Sequence, residues 1–435
     1  MRILLAAALL AGCAQATPTP DNSAMPIGDA TRHGLRAAEQ HRVATIASRR
    51  FTHEEFWRAV QPSLSSDALR TAEIGRSLHG REIRSVTFGN GSTTVLLWSQ
   101  MHGDEATATM ALADIFRFLA EARGDPVRER LRERLTIVFV PMLNPDGAEL
   151  FQRENAVGID INRDARQLAT PEGRALKALR DRIRPAFGFN LHDQGARVLA
   201  GPRGKQVALA LLAPPSSESG VYDDVRSRAR LVAGLIAQTL GSEIPGRIAR
   251  YDDTFNPRAF GDLMQQWGTS TVLIESGALP DDPDKQRLRT LNVVALLAAL
   301  DAIATGRYAS VDVSAYESLP GNRRGAADVL VMGGQLVLPG RTPVRADVAI
   351  NYDDAVGRTG GRVADVGDLR EAIGIDTVDA DGLFLHPGDT SLTSSGRDMW
   401  LRIGAAAIID VRRRADPGSE LVRTVGGGRA SVSSP

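Results

Sequence analysis

Apolar residues run from Val95 to Trp98, and the pattern breaks at Gln100-Met101-His102-Gly103-Asp104-Glu105 before a helix-like segment begins at Ala106. The hydrophobic period changes there from that of a strand to that of a helix. The alternation continues downstream. A helix over Ala106–Ala122 leads to a strand over Leu135–Pro141, a helix over Pro171–Ile183 to a strand over Ala186–Leu191, and a helix over Tyr222–Leu240 to a strand over Thr271–Glu275. A helix over Asp284–Ala304, with Leu291, Val294, Leu297 and Ala298 on one face, closes the series near Gly306. Strands alternating with helices predict an α/β domain with a mixed, mainly parallel twisted sheet flanked by helices. Upstream, Ala30–Leu69 reads as helical in parts, Thr71–Gly80 as turn-rich and Glu82–Phe88 as an edge strand. Asn90-Gly91 reads as a hairpin turn into the strand that ends at Gln100.

From Ser310 the texture changes to short alternating runs, such as Asp328–Met332 and Gly334–Leu338, broken by Gly and Pro. That pattern predicts a smaller β-rich second domain. His386 stands alone in it and reads as a surface or packing histidine, so no chemistry is assigned there. At the other end, Met1-Arg2, the apolar run Ile3–Leu10 and the small residues before Cys13 have the layout of an export signal. Leu10-Ala11-Gly12-Cys13 resembles the bacterial lipoprotein signal, which places cleavage before Cys13 and lipid on its sulfur. A simple secretory peptide cleaved near Ala14 and Ala16 is the alternative. Thr17–Pro26 is a polar, proline-rich tether. The expected organisation is a signal over 1–13, tether and helical lead-in over 14–70, a catalytic domain over 71–308, and a β-rich accessory domain with a disordered tail over 309–435. The implied location is the cell envelope, on the periplasmic face or surface of an outer membrane, with membrane contact through the lipid anchor only.

Composition narrows the choices. The chain has 435 residues, 52 basic and 52 acidic, hence no net charge. That excludes broad electrostatic capture of nucleic acid or of an anionic membrane. Cys13 is the single cysteine, so the core must be stable by packing without an internal disulfide.

Of seven histidines, only His102 and His192 fall at the ends of predicted sheet strands, where open α/β sheets bind their ligands. His102 and Glu105 are spaced so that a tight loop aims both at one point. Two imidazoles and a carboxylate, with a fourth position open, suit a catalytic zinc ion. Glu275 follows four apolar residues at another strand end, where an unpartnered carboxylate is costly to bury; it is a candidate general base. The long loop after Pro141 contains Asn144-Pro145-Asp146-Gly147, Arg153 and Asp160-Ile161-Asn162-Arg163. Its arginines can grip a carboxylate or an oxyanion through forked hydrogen bonds.

The order His102-x-x-Glu105, Asn144-Pro145-Asp146-Gly147, Asp160-Ile161-Asn162-Arg163, His192 and Glu275 resembles that of the zinc carboxypeptidases, the carboxypeptidase A superfamily. The spacing of Arg153, nine residues before Asn162, is similar to that of its regulatory and bacterial branches. The resemblance covers roughly Thr71 to Gly306. It implies one Zn2+ per chain, held by His102, Glu105 and His192, with Asp160 orienting the first histidine. It implies that Glu275 is general base and acid, that Arg153 stabilises the oxyanion, and that Asn162 and Arg163 hold the terminal carboxylate. Tyr251 is the candidate for the family's mobile tyrosine, and Arg258 for a further anion contact. The expected activity is hydrolysis of C-terminal amino acids from peptides or muropeptides with a free carboxylate. The alternatives are a peptidoglycan stem-peptide or acyl-amino-acid amidase of the same fold, and a catalytically inactive envelope binding protein.

Overall fold

A four-residue apolar run buried on both faces is what a central parallel strand requires, and Val95–Trp98 is fully buried inside an eight-stranded sheet. The computed structural model describes residues 25–395 and 398–427; Cys13, the signal and most of the tail lie outside these. The sheet is ordered β1 (Leu69–Arg76), β2 (Glu82–Phe88), β4 (Leu135–Val140), β3 (Thr93–Ser99), β5 (Phe187–Asp193), β9 (Ser270–Ser276), β7 (Leu209–Leu212), β8 (Ile248–Arg250). The central pairs β4–β3, β3–β5 and β5–β9 are parallel. Two short strands, β6 (Val198–Ala200) and β10 (Asn322–Arg324), pair separately.

Helices cover both faces. Alternate residues of β3 divide between them, as the pleat of a strand requires. Val95 and Leu97 pack with α1 (Ile27–Gln40), α2 (His53–Leu64), α3 (Thr107–Glu121), α4 (Pro126–Arg134), α7 (Asp224–Leu240) and α9 (Gln286–Thr305). Leu96 and Trp98 pack with α6 (Pro171–Ile183) and α8 (Phe260–Gln266) on the other side. Two short helices, α5 (Pro145–Leu150) and α10 (Ser314–Glu317), complete the set. By length and composition α9 could cross a membrane, but it is 89% buried in this core. Its Arg289 is paired there with Asp114 of α3.

Several expectations about local structure are corrected. Thr71–Gly80 is mostly strand: β1 covers β2, so Glu82–Phe88 is not the edge. Its exposed, polar side chains conceal a strand that faces solvent. Asn90-Gly91 does not close a hairpin, because β4 is inserted between β2 and β3. Gly91 instead lies against the Arg134 and Leu135 backbone, where a Cβ would come 1.9 Å from the Arg134 carbonyl carbon. Asn144-Pro145 is the start of α5, with Asn144 Oδ1 accepting from the Gly147 N–H at 2.9 Å. Asn at the cap and Pro at the first position are a standard helix opening.

The second domain is a sandwich. Strands Thr359–Gly367, Asp347–Asp354, Ala327–Met332 and Gly374–Asp379 make one sheet. Its Val329, Val331, Val348 and Ile350 share a core with Leu385, Ile409 and Val411 of a second sheet. Arg49 clamps Asp354 through two bonds of 2.7 and 2.6 Å, and Arg197 donates to the Tyr352 carbonyl at 3.0 Å. His386 is a partly buried side chain 3.0 Å from the Arg414 carbonyl.

Candidate functional site

The break after β3 is a braced turn. Gln100 adopts a left-handed φ of 49°, and the Leu143 and Asn144 N–H groups donate to the Ser99 and Gln100 carbonyls. Gly103 touches the backbone of Gly147, where a Cβ would come 1.9 Å from the carbonyl carbon. This contact sets the position of His102. His192 lies one residue before the end of β5, and Glu275 is its cross-strand partner on β9.

The three candidate ligands meet in the interior. His102 Nδ1 lies 2.7 Å from Glu105 Oε1, and His192 Nδ1 lies 2.6 Å from Glu105 Oε2. The ring centroids are 4.8 Å apart, and one donor atom from each residue lies within 4.8 Å of the others. Two imidazole nitrogens and a carboxylate oxygen gathered this closely are the donor types of a catalytic zinc ion, so the set fits the ion in its chemistry. The remaining His102 nitrogen, Nε2, is 3.0 Å from Asp160 Oδ1. A carboxylate behind a ligating histidine fixes its tautomer and ring orientation. The other oxygen of Asp160 accepts from Arg153 Nε and Nη2 at 3.1 and 2.9 Å, and Arg153 Nη1 reaches Glu105 at 3.3 Å. That guanidinium therefore stands over the ligand group.

Charge is tightly coupled in this space. Burial opposes protonation of His102, but Glu105 and Asp160 outweigh it and lift the imidazole to about 9. Burial lowers His192. Burial would raise Glu105, yet the two imidazoles hold its carboxyl well below the usual range. Glu275 is pushed well above that range, first by burial and then by the negative Glu105. A dication at the ligand group would reverse that local field and favour ionised Glu275.

A cavity of about 950 Å³ opens over these residues. Asn162 and Arg163 line it from a 3-10 turn capped by Asp160, which accepts from the Asn162 N–H at 2.8 Å. Asn162 Oδ1 accepts from the Phe260 N–H at 2.9 Å, and Arg163 donates to the Asn162 carbonyl at 2.8 Å. Tyr251 also lines the cavity. Burial and then Glu275 raise its phenol to about 12, so it is a proton donor throughout the neutral range. Arg258 does not line the cavity; its Nε donates to the Arg163 carbonyl at 3.3 Å. Asp262 of α8 lines it as well, with a carboxyl raised by burial to about 6. Nothing in the local sequence distinguishes Asp262 from an ordinary helix-surface acid.

A second feature without a sequence signal is the buried pair behind the ligands. Lys285 Nζ lies 2.9 Å from Asp193 Oδ2 and 3.4 Å from the Ser276 carbonyl. It thus joins the ends of β5 and β9 directly after His192 and Glu275. Asp193 also donates its N–H to Glu105 at 3.1 Å. Lys285 keeps this position with a left-handed φ of 53°, a backbone cost of order 1–3 kcal/mol for a non-glycine residue. In Lys285→Met the zinc dissociation constant is expected to rise by roughly 10–100-fold, the usual effect of losing a group that supports metal ligands. Chelator competition measures it, and an unchanged constant would reduce the pair to a purely stabilising role.

Comparison with known proteins covers part of the same region. Residues 54–198 match the family model described as zinc carboxypeptidase, a span that contains His102, Glu105, Arg153, Asp160, Asn162, Arg163 and His192. Carboxypeptidase 2 of Trichophyton tonsurans is 30% identical over 158 residues, 36% of this chain and 29% of that protein. Carboxypeptidase 2 of Trichophyton rubrum is 28% identical over 211 residues, 46% of this chain and 38% of that protein. The chain thus spans well under half the length of these two relatives. A metallo-carboxypeptidase structure from Burkholderia cenocepacia aligns with a TM-score of 0.47 and 18% identity, covering 57% of this chain and 68% of that one. Over residues 54–198 the chain is thus similar to the zinc carboxypeptidase family.

Proposed function

We propose that this protein is a zinc metallocarboxypeptidase that removes C-terminal amino acids from peptides. One observation carries the reading: Glu275 stands beside His192 across β5 and β9 and lines the same cavity as His102 and Glu105, which with His192 form the candidate ligand group. Zinc held there supplies a Lewis acid that makes water a nucleophile at neutral pH and polarises a carbonyl.

The side chains have distinct parts in this reaction. Glu275 accepts the proton of the attacking water at its carboxylate and delivers it to the leaving amine. Arg153, held by Asp160, directs N–H groups at the oxygen on which negative charge develops. Asn162 and Arg163 bind the terminal carboxylate of the peptide, which selects the last bond of the chain. Tyr251 donates its phenolic proton into the same cavity.

The test is incubation of zinc-loaded protein with a mixed peptide pool, with products read by mass spectrometry. Stepwise loss of single C-terminal residues is expected, and cleavage confined to internal bonds would overturn the assignment. We also propose that the protein works in the cell envelope on a lipid anchor at Cys13, a reading supported by Leu10-Ala11-Gly12-Cys13. Cys13→Ser is then expected to leave the membrane fraction; retention there would refute the anchor.

A further inference from the structure

The catalytic cavity is not walled by the α/β domain alone. Arg324, Gly325, Ala326 and Asn351 line it as well, and Asn351 belongs to the sandwich. These residues are held in place by built structure. β10 pairs with β6 so that Arg324 lies opposite Val198, six residues beyond His192. The Asn322 side chain donates to Gln194 Oε1 at 2.7 Å, and Arg250 N–H donates to the Pro320 carbonyl at 2.7 Å.

The polar groups of this wall offer donors. Arg324 Nη2 donates to the Tyr251 phenol oxygen at 2.9 Å, which leaves the phenolic proton available to the cavity. Among the described residues this neutral phenol is the only hydrogen-bond partner of the exposed Arg324 guanidinium, a group with five N–H donors and no acceptor, and the Asp252 carboxylate of the same cavity feels its charge without a hydrogen bond to it. Arg197, the other cation on this side, already faces Asp328 at 3.4 Å and the Tyr352 carbonyl. The Asn351 carboxamide oxygen is used by the Asp328 N–H at 3.1 Å, so its amide nitrogen is the half that remains. A guanidinium, a phenol and an amide nitrogen together suit an anion with several acceptor oxygens.

We propose that Arg324, Tyr251 and Asn351 form a second anion subsite, which binds an acidic side chain on the residue just before the bond that is cut. This rests on the carboxypeptidase reading, in which Asn162 and Arg163 take the terminal carboxylate. That pair sits on the 3-10 turn beside α8, whereas the second group comes from β10, the residue after β8 and the sandwich. His102, Glu105 and Glu275 line the cavity that contains both groups. A peptide whose end is fixed at the first group runs its preceding residue towards the second. The favoured substrates are therefore peptides with glutamate or aspartate in the penultimate position, and the sandwich is part of the substrate site.

Binding separates this inference from the reading beneath it, because it needs no turnover. Calorimetry on the full-length, zinc-loaded Glu275→Gln protein would compare acetyl-Ala-Glu-Leu with acetyl-Ala-Gln-Leu. The glutamate peptide is expected to bind at least tenfold more tightly. Adding Arg324→Gln is expected to bring that ratio near one, whereas Arg323→Gln on the same strand leaves it in place. A ratio below threefold in the parent protein, or one that survives Arg324→Gln, would overturn the subsite while leaving the carboxypeptidase assignment standing. Failure to bind either peptide would overturn both.

Discussion

Glu275→Gln is expected to lose about 10²–10⁴ of the hydrolytic rate, the range associated with a positioned proton-transfer group, while zinc content stays at one per chain. The substitution keeps the size of the side chain and touches none of the three ligands. The loss therefore belongs in kcat, measured on a peptide at saturating concentration with zinc verified by elemental analysis. A variant that retained more than a tenth of wild-type kcat would remove Glu275 from the proton transfer.

The same variant makes a prediction about stability with the opposite sign. In metal-free wild type, burial and Glu105 raise the Glu275 carboxyl above its usual range. A group whose folded pKa is raised contributes its full stability below the unfolded value and loses it as pH rises towards the folded one. Metal-free Glu275→Gln carries no such proton. Its melting temperature is therefore expected to exceed that of wild type by a margin that grows as pH rises above about 4.5. Paired melts at pH 4 and pH 7 measure the margin, and an equal or shrinking difference would contradict the buried, unpartnered placement of the carboxyl.

His192→Ala is the second large effect. Removing one imidazole from a three-residue set leaves two ligands, too few for a stable catalytic zinc site, so stoichiometric zinc and activity should both disappear. Wild type with zinc at a thousand times its dissociation constant gains about 4 kcal/mol of stability. Chelation should withdraw that gain and zinc should restore it, whereas the melting curve of His192→Ala should not respond to either. A variant that still bound one zinc tightly would move the metal to another set of residues.

The parts of this fold that were legible in the sequence are those with a strong local signal. The α6 helix runs over the expected residues because Thr170 caps it and Pro171 occupies its first turn. The apolar runs of β3 and β9 end where their side chains become chemical. The two histidines and Glu105 were legible as a group because His102 and Glu105 share the turn after β3 and His192 stands near the end of β5, and the sheet pairs those two strands side by side. Short strands were not legible: β6 and β8 have three residues each and β7 four, too few to establish a period. β1 was missed because its solvent-facing side chains are polar. The α8 helix, with Asp262, has only seven residues. Lys285 and Asp193 lie far apart in the chain, and only the folded sheet edge brings them together. The same holds for Arg324, whose approach to Tyr251 depends on the pairing of β10 with β6. Arg258 had the charge of an anion contact, but it does not line the cavity and its Nε donates to the Arg163 carbonyl.

The contact between Gly103 and Gly147 has a consequence for how this chain can vary. The turn after β3 meets the first turn of α5 main chain to main chain: a methyl group on Gly103 would overlap the Gly147 backbone, and one on Gly147 would overlap the Asn144 side chain and the Glu154 carbonyl. Shrinking a neighbouring side chain cannot relieve the clash at Gly103, whose obstacles are all peptide, and at Gly147 it would still leave the Glu154 carbonyl in the way. Either position can therefore be lost through a change that never reaches the reactants, and no single second-site substitution restores it. Inheritance must preserve the two glycines together, so a descendant missing one has already abandoned the loop arrangement on which its first histidine depends.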